Sequence, residues 1–169
     1  MAIEANFNQP RLHNCSNIQL SALVLLRIFI GWHFLYEGIS KLLNPYWSSA
    51  GYLMESKWIL SGIFKSIVAS PVILKIVDYL NIIGLVAIGI ALIIGFLGRT
   101  ASISGIALLL LYYLSHPPFG YEYTAPAEGS YIVIDKNLIE MCALFVLTMF
   151  PTSKIIGIDR LICRKHRPE

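Results

Sequence analysis

The sequence predicts an all-α integral membrane protein, a four-transmembrane-helix bundle with an interfacial amphipathic helical segment between helices 1 and 2. Two observations predict this class. Of the 169 residues, 56% are hydrophobic and only 14% are charged, whereas soluble domains carry about 25% charged residues. The apolar residues also occur in blocks, and a transmembrane helix needs roughly 20 predominantly apolar residues in succession.

Four apolar blocks are candidate spans, over residues 20–43, 72–97, 100–114 and 134–150. The first span should end at Asn44, because Pro45 disfavours helical geometry in the residue before it. The first 19 residues are polar, and the apolar run that follows is longer than a signal peptide's and carries charges. We therefore expect a retained span rather than a cleaved signal sequence.

The connection between the first two spans has its own helical pattern. Apolar residues recur at roughly helical spacing from Tyr52 to Val68, which predicts one or two short amphipathic helices in the outer interface. Trp47, Tyr52 and Trp58 fit an aromatic belt. Such a segment could simply cover the bundle, or it could form part of a ligand pocket.

Basic residues predict the topology, because cytosolic loops are enriched in Lys and Arg. With four spans, Arg11, Arg99 and the basic tail share one side, and the acidic loop with Glu122 and Glu128 lies on the other. The chain is thus divided into a cytosolic N-terminal tail (1–19), a membrane domain (20–150) and a basic cytosolic tail (151–169). The tail suits the anionic inner leaflet, so membrane lipid is an expected partner and nucleic acid is not.

A charged stripe crosses the first span. His33, Glu37 and Lys41 are spaced by four residues, so they share one helix face. Charges at membrane depth cost about 2.5–3.5 kcal/mol each, which makes the stripe a candidate functional site. Glu37 lies about 9 Å along the helix from the end of the span, so we expect it to pair with Lys41, one turn away.

The other spans carry polar groups at the same depth, which we take as candidate ligand-binding residues: Asp78, Asn81, His116 and Glu140. Arg27 is added to them, although it lies in the inner half of the first span. It could snorkel inward, pair with carbonyl groups or meet a ligand head group. No metal site is predicted, because His33 and Glu37 are too few ligands and the three cysteines form no CxxC pair.

Two interpretations of the stripe stay open. The charges could form a salt-bridge network that fixes helix packing. Alternatively, Glu37, His33 and Lys41 could be catalytic groups in a polar pocket, where a histidine and a carboxylate move protons to a quinone.

In the second span, Ala87, Ala91 and Gly95 form a line of small residues, which predicts close packing against another helix of this chain or of a second copy.

The motif Arg27-x3-Gly31-x6-Gly38-x2-Lys41-Leu42, followed by Pro45, resembles the opening of the DoxX/DoxD family of small bacterial membrane proteins. Residues 81–99 and 128–140 are similar to the family's second and last helices, so the resemblance covers about residues 20–150. It implies a four-helix bundle, and together with the topology predicted from the basic residues we expect a multi-pass protein of the bacterial inner membrane with both termini cytosolic. It also implies redox chemistry, since the DoxD branch is similar to a subunit of thiosulfate:quinone oxidoreductase.

Two functional hypotheses follow from the residues and the resemblance together. The chain could be the membrane subunit of a quinone-linked redox system related to sulfur or thiol chemistry, with quinone as its cofactor. Alternatively, it could be a non-catalytic scaffold that anchors a soluble redox enzyme or an envelope complex. A soluble redox protein and a second copy of the chain are the expected protein partners.

Overall fold

Residues 16–116 and 133–165 are described by the computed structural model, and helices dominate both ranges. The chain order is α1 (Asn17–Leu43), α2 (Ala50–Glu55), α3 (Ser61–Ala69), α4 (Pro71–Ile94), α5 (Gly98–Ser115), α6 (Lys136–Met149), a 3-10 turn (Thr152–Lys154) and α7 (Ile158–Lys165). The predicted N-terminal tail up to residue 15, the loop with Glu122 and Glu128, and the last four residues lie outside the described residues.

The ends of the long helices follow from local sequence signals. Ser16 and Gln19 form a capping box at the start of α1, each side chain bonding to the backbone N–H of the other. α1 ends before Asn44-Pro45, as predicted. α4 begins with Pro71 at its first position and ends at Gly95, which adopts a left-handed conformation with φ of 69°.

The four longest helices, α1, α4, α5 and α6, form a bundle. α1 packs mainly against α4 and α5 mainly against α6, with a smaller contact between α4 and α5 and a smaller one still between α1 and α6. Phe34, Leu92 and Leu144 lie fully buried in its core. Between the first two long helices, α2 packs on α3 and α3 packs on α4, which agrees with the predicted short helices.

Neighbouring helices of the bundle run antiparallel. Arg27, in the first half of α1, bonds to Thr152 and Ile156 beyond the end of α6. Asp159 in α7 bonds to the start of α5. We call this the terminal end, because α1 begins there and α7 closes the described chain there. The opposite end, where α1 and α5 finish, is called the cavity end.

Two of the bundle helices, α1 and α4, are long and apolar enough to cross a membrane. α6 has 14 residues and rises only about 21 Å, which is less than the roughly 30 Å of a bilayer core. It is also shorter than the span predicted over residues 134–150, because its helical geometry starts after the capping residue Asp135.

The line of small residues on α4 faces the bundle only in part, and its packing against a second copy of the chain stays a prediction. Ala87 is exposed, Ala91 is partly buried against the core, and a Cβ at Gly95 would meet Gly157 and the guanidinium of Arg27 on α1. The closest approach of α4 to α1 is made by Gly89, where an added Cβ would lie 2.8 Å from the carbonyl oxygen of Gly31. The sequence does not predict Gly89 as the contact position, because α4 is apolar on both sides and composition does not distinguish the two faces.

The first part of the predicted C-terminal tail is built into the terminal end. Thr152 and Ser153 are buried, and the carboxylate of Asp159 accepts hydrogen bonds from the backbone N–H groups of Leu97 (2.7 Å) and Gly98 (3.1 Å). Burial alone would raise the pKa of Asp159. Hydrogen bonds from Ser153, Gly98 and Leu97, together with the charge of Arg27, lower this pKa below its ordinary value of 3.8.

Asp159→Ala should lower the free energy of unfolding by about 1 kcal/mol at neutral pH, because two N–H groups at the start of α5 lose their acceptor. The pKa of Asp159 is lowered by folding, so its contribution is complete above its ordinary pKa and is lost as the pH falls through the lower, folded value. Thermal unfolding in detergent should therefore separate parent and variant at neutral pH and bring them together in strong acid. Equal stability at neutral pH would refute this role.

Candidate functional site

A cavity of about 290 Å³ lies at the cavity end of the bundle. All four bundle helices contribute to its walls, and the segment after α1 contributes its roof, which we define as Trp47, Ser48, Ser49 and Tyr52. The other lining residues are His33, Phe34, Glu37, Lys41, Asn81, Leu85, Leu109, Tyr112, Lys136, Asn137 and Glu140. Phe34, Leu85 and Leu109 make part of the wall apolar, whereas most of the remaining side chains are polar or charged.

One side of the cavity is formed by a pair that joins α1 to α6. His33 Nδ1 lies 2.9 and 3.0 Å from the two carboxylate oxygens of Glu140. With Nδ1 donating to the carboxylate, Nε2 of His33 is the ring nitrogen left for other partners, and no hydrogen bond occupies it within the described residues. The Glu140 side chain is 11% exposed and that of His33 is 43% exposed. The pair therefore presents a fixed carboxylate and an accessible imidazole.

A second polar group extends from α1 to α4 and α5. Lys41 Nζ lies 3.7 Å from Glu37 Oε2 and donates a hydrogen bond to Asn81 Oδ1 at 3.4 Å. Asn81 Nδ2 in turn donates to the hydroxyl of Tyr112 at 2.6 Å. The Lys41 ammonium also lies 5.3 Å from the centre of the Trp47 ring. The predicted pairing of Glu37 with Lys41 is confirmed, and it extends into a network across three helices.

The roof is fastened to the bundle by hydrogen bonds. Asp78 on α4 accepts from the hydroxyl of Ser48 (2.9 Å), the backbone N–H of Ser49 (2.9 Å) and the hydroxyl of Ser49. Tyr52 donates its hydroxyl to the carbonyl oxygen of Tyr112 at 3.1 Å. Because Ser48, Ser49 and Tyr52 line the cavity, the segment after α1 forms part of the cavity wall, and its contact with a ligand stays a prediction.

The predicted site residues occupy three kinds of position: the cavity wall, the far side of the roof and, for Arg27, the terminal end of the bundle. His33, Glu37, Lys41, Asn81 and Glu140 all line the cavity. Asp78 and His116 stand behind its roof: Asp78 holds the two serines, and the His116 ring stacks on Tyr52 with centroids 3.9 Å apart.

Arg27 lies apart from the other candidate residues, as its place in the inner half of the first span predicts, and a ligand-binding role for it stays a prediction. It is buried at the terminal end, where Nη1 donates to Thr152 Oγ1 (3.1 Å) and Nη2 donates to the carbonyl oxygen of Ile156 (2.9 Å). Of the three alternatives for Arg27, pairing with a carbonyl group is the one observed. These contacts occupy the guanidinium far from the cavity along α1.

Several lining residues were not selected from the sequence, among them Lys136, Asn137 and Tyr112. The sequence holds a signal for Lys136. Asp135 caps α6 by accepting from the N–H of Leu138 at 2.8 Å, so the helix begins at Lys136, and Lys136 and Glu140 lie one turn apart on the same face. Tyr112 had no comparable signal, since its hydroxyl reaches the cavity only through the packing of α5 beside α4. Over residues 16–116 and 133–165, no group of three or more His, Cys, Asp or Glu side chains converges to hold a metal ion.

Comparison with known families identifies one relationship. A family model described as DoxX matches residues 22–117, which is more than half of the chain and covers α1, from its sixth residue, through α5. The resemblance read from the glycine motifs is confirmed over this range, and its extension to residue 150 stays a prediction. Glu37, Lys41 and Asn81 lie inside the matched range, whereas Lys136 and Glu140 lie outside it. No curated protein and no solved structure matches the chain.

Proposed function

The chain belongs to the DoxX family, and from this premise and its polar cavity we propose that it is the membrane subunit of a quinone-linked redox system. The cavity receives the quinone ring. The observation that carries the proposal is the convergence of the His33–Glu140 pair and the Lys41–Asn81 contact on one cavity with partly apolar walls.

The proposal includes a topology in which α1, α4, α5 and α6 all cross the bacterial inner membrane and both termini are cytosolic. The antiparallel order of the four helices supports it, since the start of α1 and α7 lie at the same end. Arg99 and Lys154 are also at this end, as expected for the cytosolic side. The cavity then lies toward the outer surface of the membrane.

The lining residues fit a quinone ring in size and in hydrogen bonding. A volume of about 290 Å³ is near the lower limit of ligand pockets, roughly 300–1,000 Å³, and suits a single substituted ring better than a larger cofactor. A quinone carries two carbonyl oxygens that accept hydrogen bonds. His33 and Lys41 supply donors at two positions on α1, with Phe34 between them in sequence as an apolar wall.

Reduction of a quinone to a quinol requires two electrons and two protons. In the proposal, a reduced thiol or inorganic sulfur compound supplies the electrons through a soluble partner protein. His33, held at Nδ1 by Glu140, gives a proton from Nε2 to one ring oxygen, and the Glu140 carboxylate stabilises the charged imidazole when it is reprotonated. Lys41 holds the second oxygen and gives it the second proton, and Glu37, 3.7 Å from the Lys41 ammonium, restores that proton. Proton transfer by a positioned side chain typically contributes a factor of about 10²–10⁴.

The test combines quinone retention with turnover. Mass spectrometry of the natively purified chain should detect bound quinone, and vesicles containing the chain and its partner proteins should form quinol when a thiol donor is supplied. Glu37→Gln should slow quinol formation by about 10²-fold, because the amide cannot carry a proton. Glu55→Gln is the matched control, since Glu55 lies on α2 and does not line the cavity, and it should leave the rate close to that of the parent. An unchanged rate in Glu37→Gln would refute the proposal.

The scaffold hypothesis has one observation in its favour, which is that the His33–Glu140 pair joins two helices that otherwise contact each other little. On that hypothesis, Glu140→Gln and Glu37→Gln would lower the thermal stability and the yield of a complex with a soluble partner, and turnover per assembled complex would stay at the parental level. Measuring both quantities on the same preparations therefore separates the two functions.

A further inference from the structure

We propose that the ligand enters the cavity sideways from the bilayer, between α1 and α6, and that its apolar tail stays in this opening. We call the opening the α1–α6 seam; it is bordered by Phe29, His33 and Glu37 on α1 and by Glu140 and Ala143 on α6. The inference rests on the proposed function and deepens it: the substrate is a quinone with a long hydrocarbon tail, taken up from the membrane.

Among the four interfaces between neighbouring helices of the bundle, the one at the seam is the least extensive. α1 has its main interface with α4, and α6 has its main interface with α5, whereas α1 and α6 meet over a short stretch. The His33–Glu140 pair bridges this stretch. A ligand passing here would move side chains at the cavity and would leave both extensive interfaces intact.

Side-chain exposure supports the same opening. His33 and Glu37 are 43% and 40% exposed although they lie within α1, whereas Lys41 on the same stripe is 18% exposed. In the proposed topology these groups lie at membrane depth, where bare contact with lipid costs about 2.5–3.5 kcal/mol for a charged group. A polar ring placed against them replaces that unfavourable contact with hydrogen bonds.

The polar part of the seam continues into an apolar part. Phe29 lies one helical turn before His33 on α1 and is 67% exposed. On α6, Ala143 lies one turn beyond Glu140 and is partly buried against the core. This order, polar at the cavity and apolar toward the bilayer centre, matches a molecule with a polar ring and a hydrocarbon tail.

The aqueous side of the cavity is less suited to entry. The roof is tied to α4 through Asp78, which holds Ser48 and Ser49, and to α5 through the hydrogen bond from Tyr52 to the carbonyl oxygen of Tyr112. Entry from water would break these contacts. Entry through the seam would separate His33 from Glu140.

The experiment narrows the seam and compares two ligands with the same ring. Ala143→Phe fills the α6 wall, and Cys142→Phe adds a similar ring at the neighbouring position, which is exposed. Kd is measured by calorimetry in detergent for a quinone with an isoprenoid tail and for the same quinone with a methyl group in place of the tail. Ala143→Phe should weaken binding of the tailed quinone at least tenfold and change that of the tail-less quinone less than twofold. Cys142→Phe should change neither by more than twofold.

A second variant tests the seam if Ala143→Phe does not fold. Phe29→Trp adds bulk on the α1 wall at an exposed position and should also weaken the tailed quinone selectively. Equal weakening of both ligands, or no weakening of either, would overturn the seam while leaving the proposed function standing. If the parent binds neither quinone, the proposed function itself fails. Conversion of a dimeric parent into a monomer by Ala143→Phe, seen by native mass spectrometry, would assign the seam to a second copy and overturn the proposal.

Discussion

Gly89→Val is expected to lower the free energy of unfolding by about 3 kcal/mol, at the upper end of the usual cost of overpacking. A Cβ at Gly89 would lie 2.6 Å from the backbone nitrogen of Leu35 and 2.8 Å from the carbonyl oxygen of Gly31. Both are main-chain atoms of α1, so no change of rotamer makes room. The two helices would have to separate along the largest interface of the bundle.

The measurement is the fraction of folded protein against increasing SDS in mixed micelles. Gly84→Val is the matched control, because it makes the same substitution on the same helix and a Cβ at Gly84 meets no atom within 4 Å. Valine has a slightly higher helix propensity than glycine, so this control should be as stable as the parent or slightly more stable. If both valine variants unfold at the same SDS fraction, the close approach of α1 and α4 is wrong.

Arg27→Ala is expected to lower the free energy of unfolding by about 3 kcal/mol. The Arg27 residue is only 4% exposed, and its guanidinium makes hydrogen bonds to Thr152 and Ile156; a hydrogen bond to a charged group contributes about 1.5–3 kcal/mol. Truncation also leaves an empty volume at the terminal end. Arg27→Lys should lower the free energy of unfolding less than Arg27→Ala does, but it should still be less stable than the parent, because a single ammonium cannot reproduce the forked donor geometry of the guanidinium.

Chemical denaturation and hydrogen exchange check this expectation. The backbone N–H groups of Leu97 and Gly98 should exchange faster in Arg27→Ala, because their acceptor Asp159 belongs to the segment that Arg27 holds. Arg99→Ala removes an exposed arginine at the same end and should change stability by less than about 0.5 kcal/mol. Equal effects of the two substitutions would mean that Arg27 does not fasten the C-terminal segment.

The end of α1 could be predicted from a local signal, whereas the span predicted over residues 72–97 runs past the end of α4 at Ile94. Pro45 stops α1, Pro71 starts α4 and Gly95 ends it, and each acts through its own backbone geometry. The charged stripe was predictable for a similar reason, since the spacing of His33, Glu37 and Lys41 places them on one face whatever the tertiary structure.

The remaining features depend on contacts between distant parts of the chain. Glu140 was placed at the right depth, but its bond to His33 spans 107 residues, and the contact of Arg27 with Thr152 spans 125. The choice of Gly89 over Ala87 as the contact face was also beyond the sequence. In a helix surrounded by lipid, outward and inward residues are both apolar, so hydrophobic periodicity does not distinguish them.

The uneven packing of the bundle has a mechanical consequence. α1 with α4, and α5 with α6, are two well-packed helix pairs, and the turn at Gly95–Gly98 joins one pair to the other. His33 belongs to one pair and Glu140 to the other, and the hydrogen bond between them links the two pairs. Because all four helices line the cavity, removing the charge of Glu140 should weaken the link between the two pairs at the cavity wall.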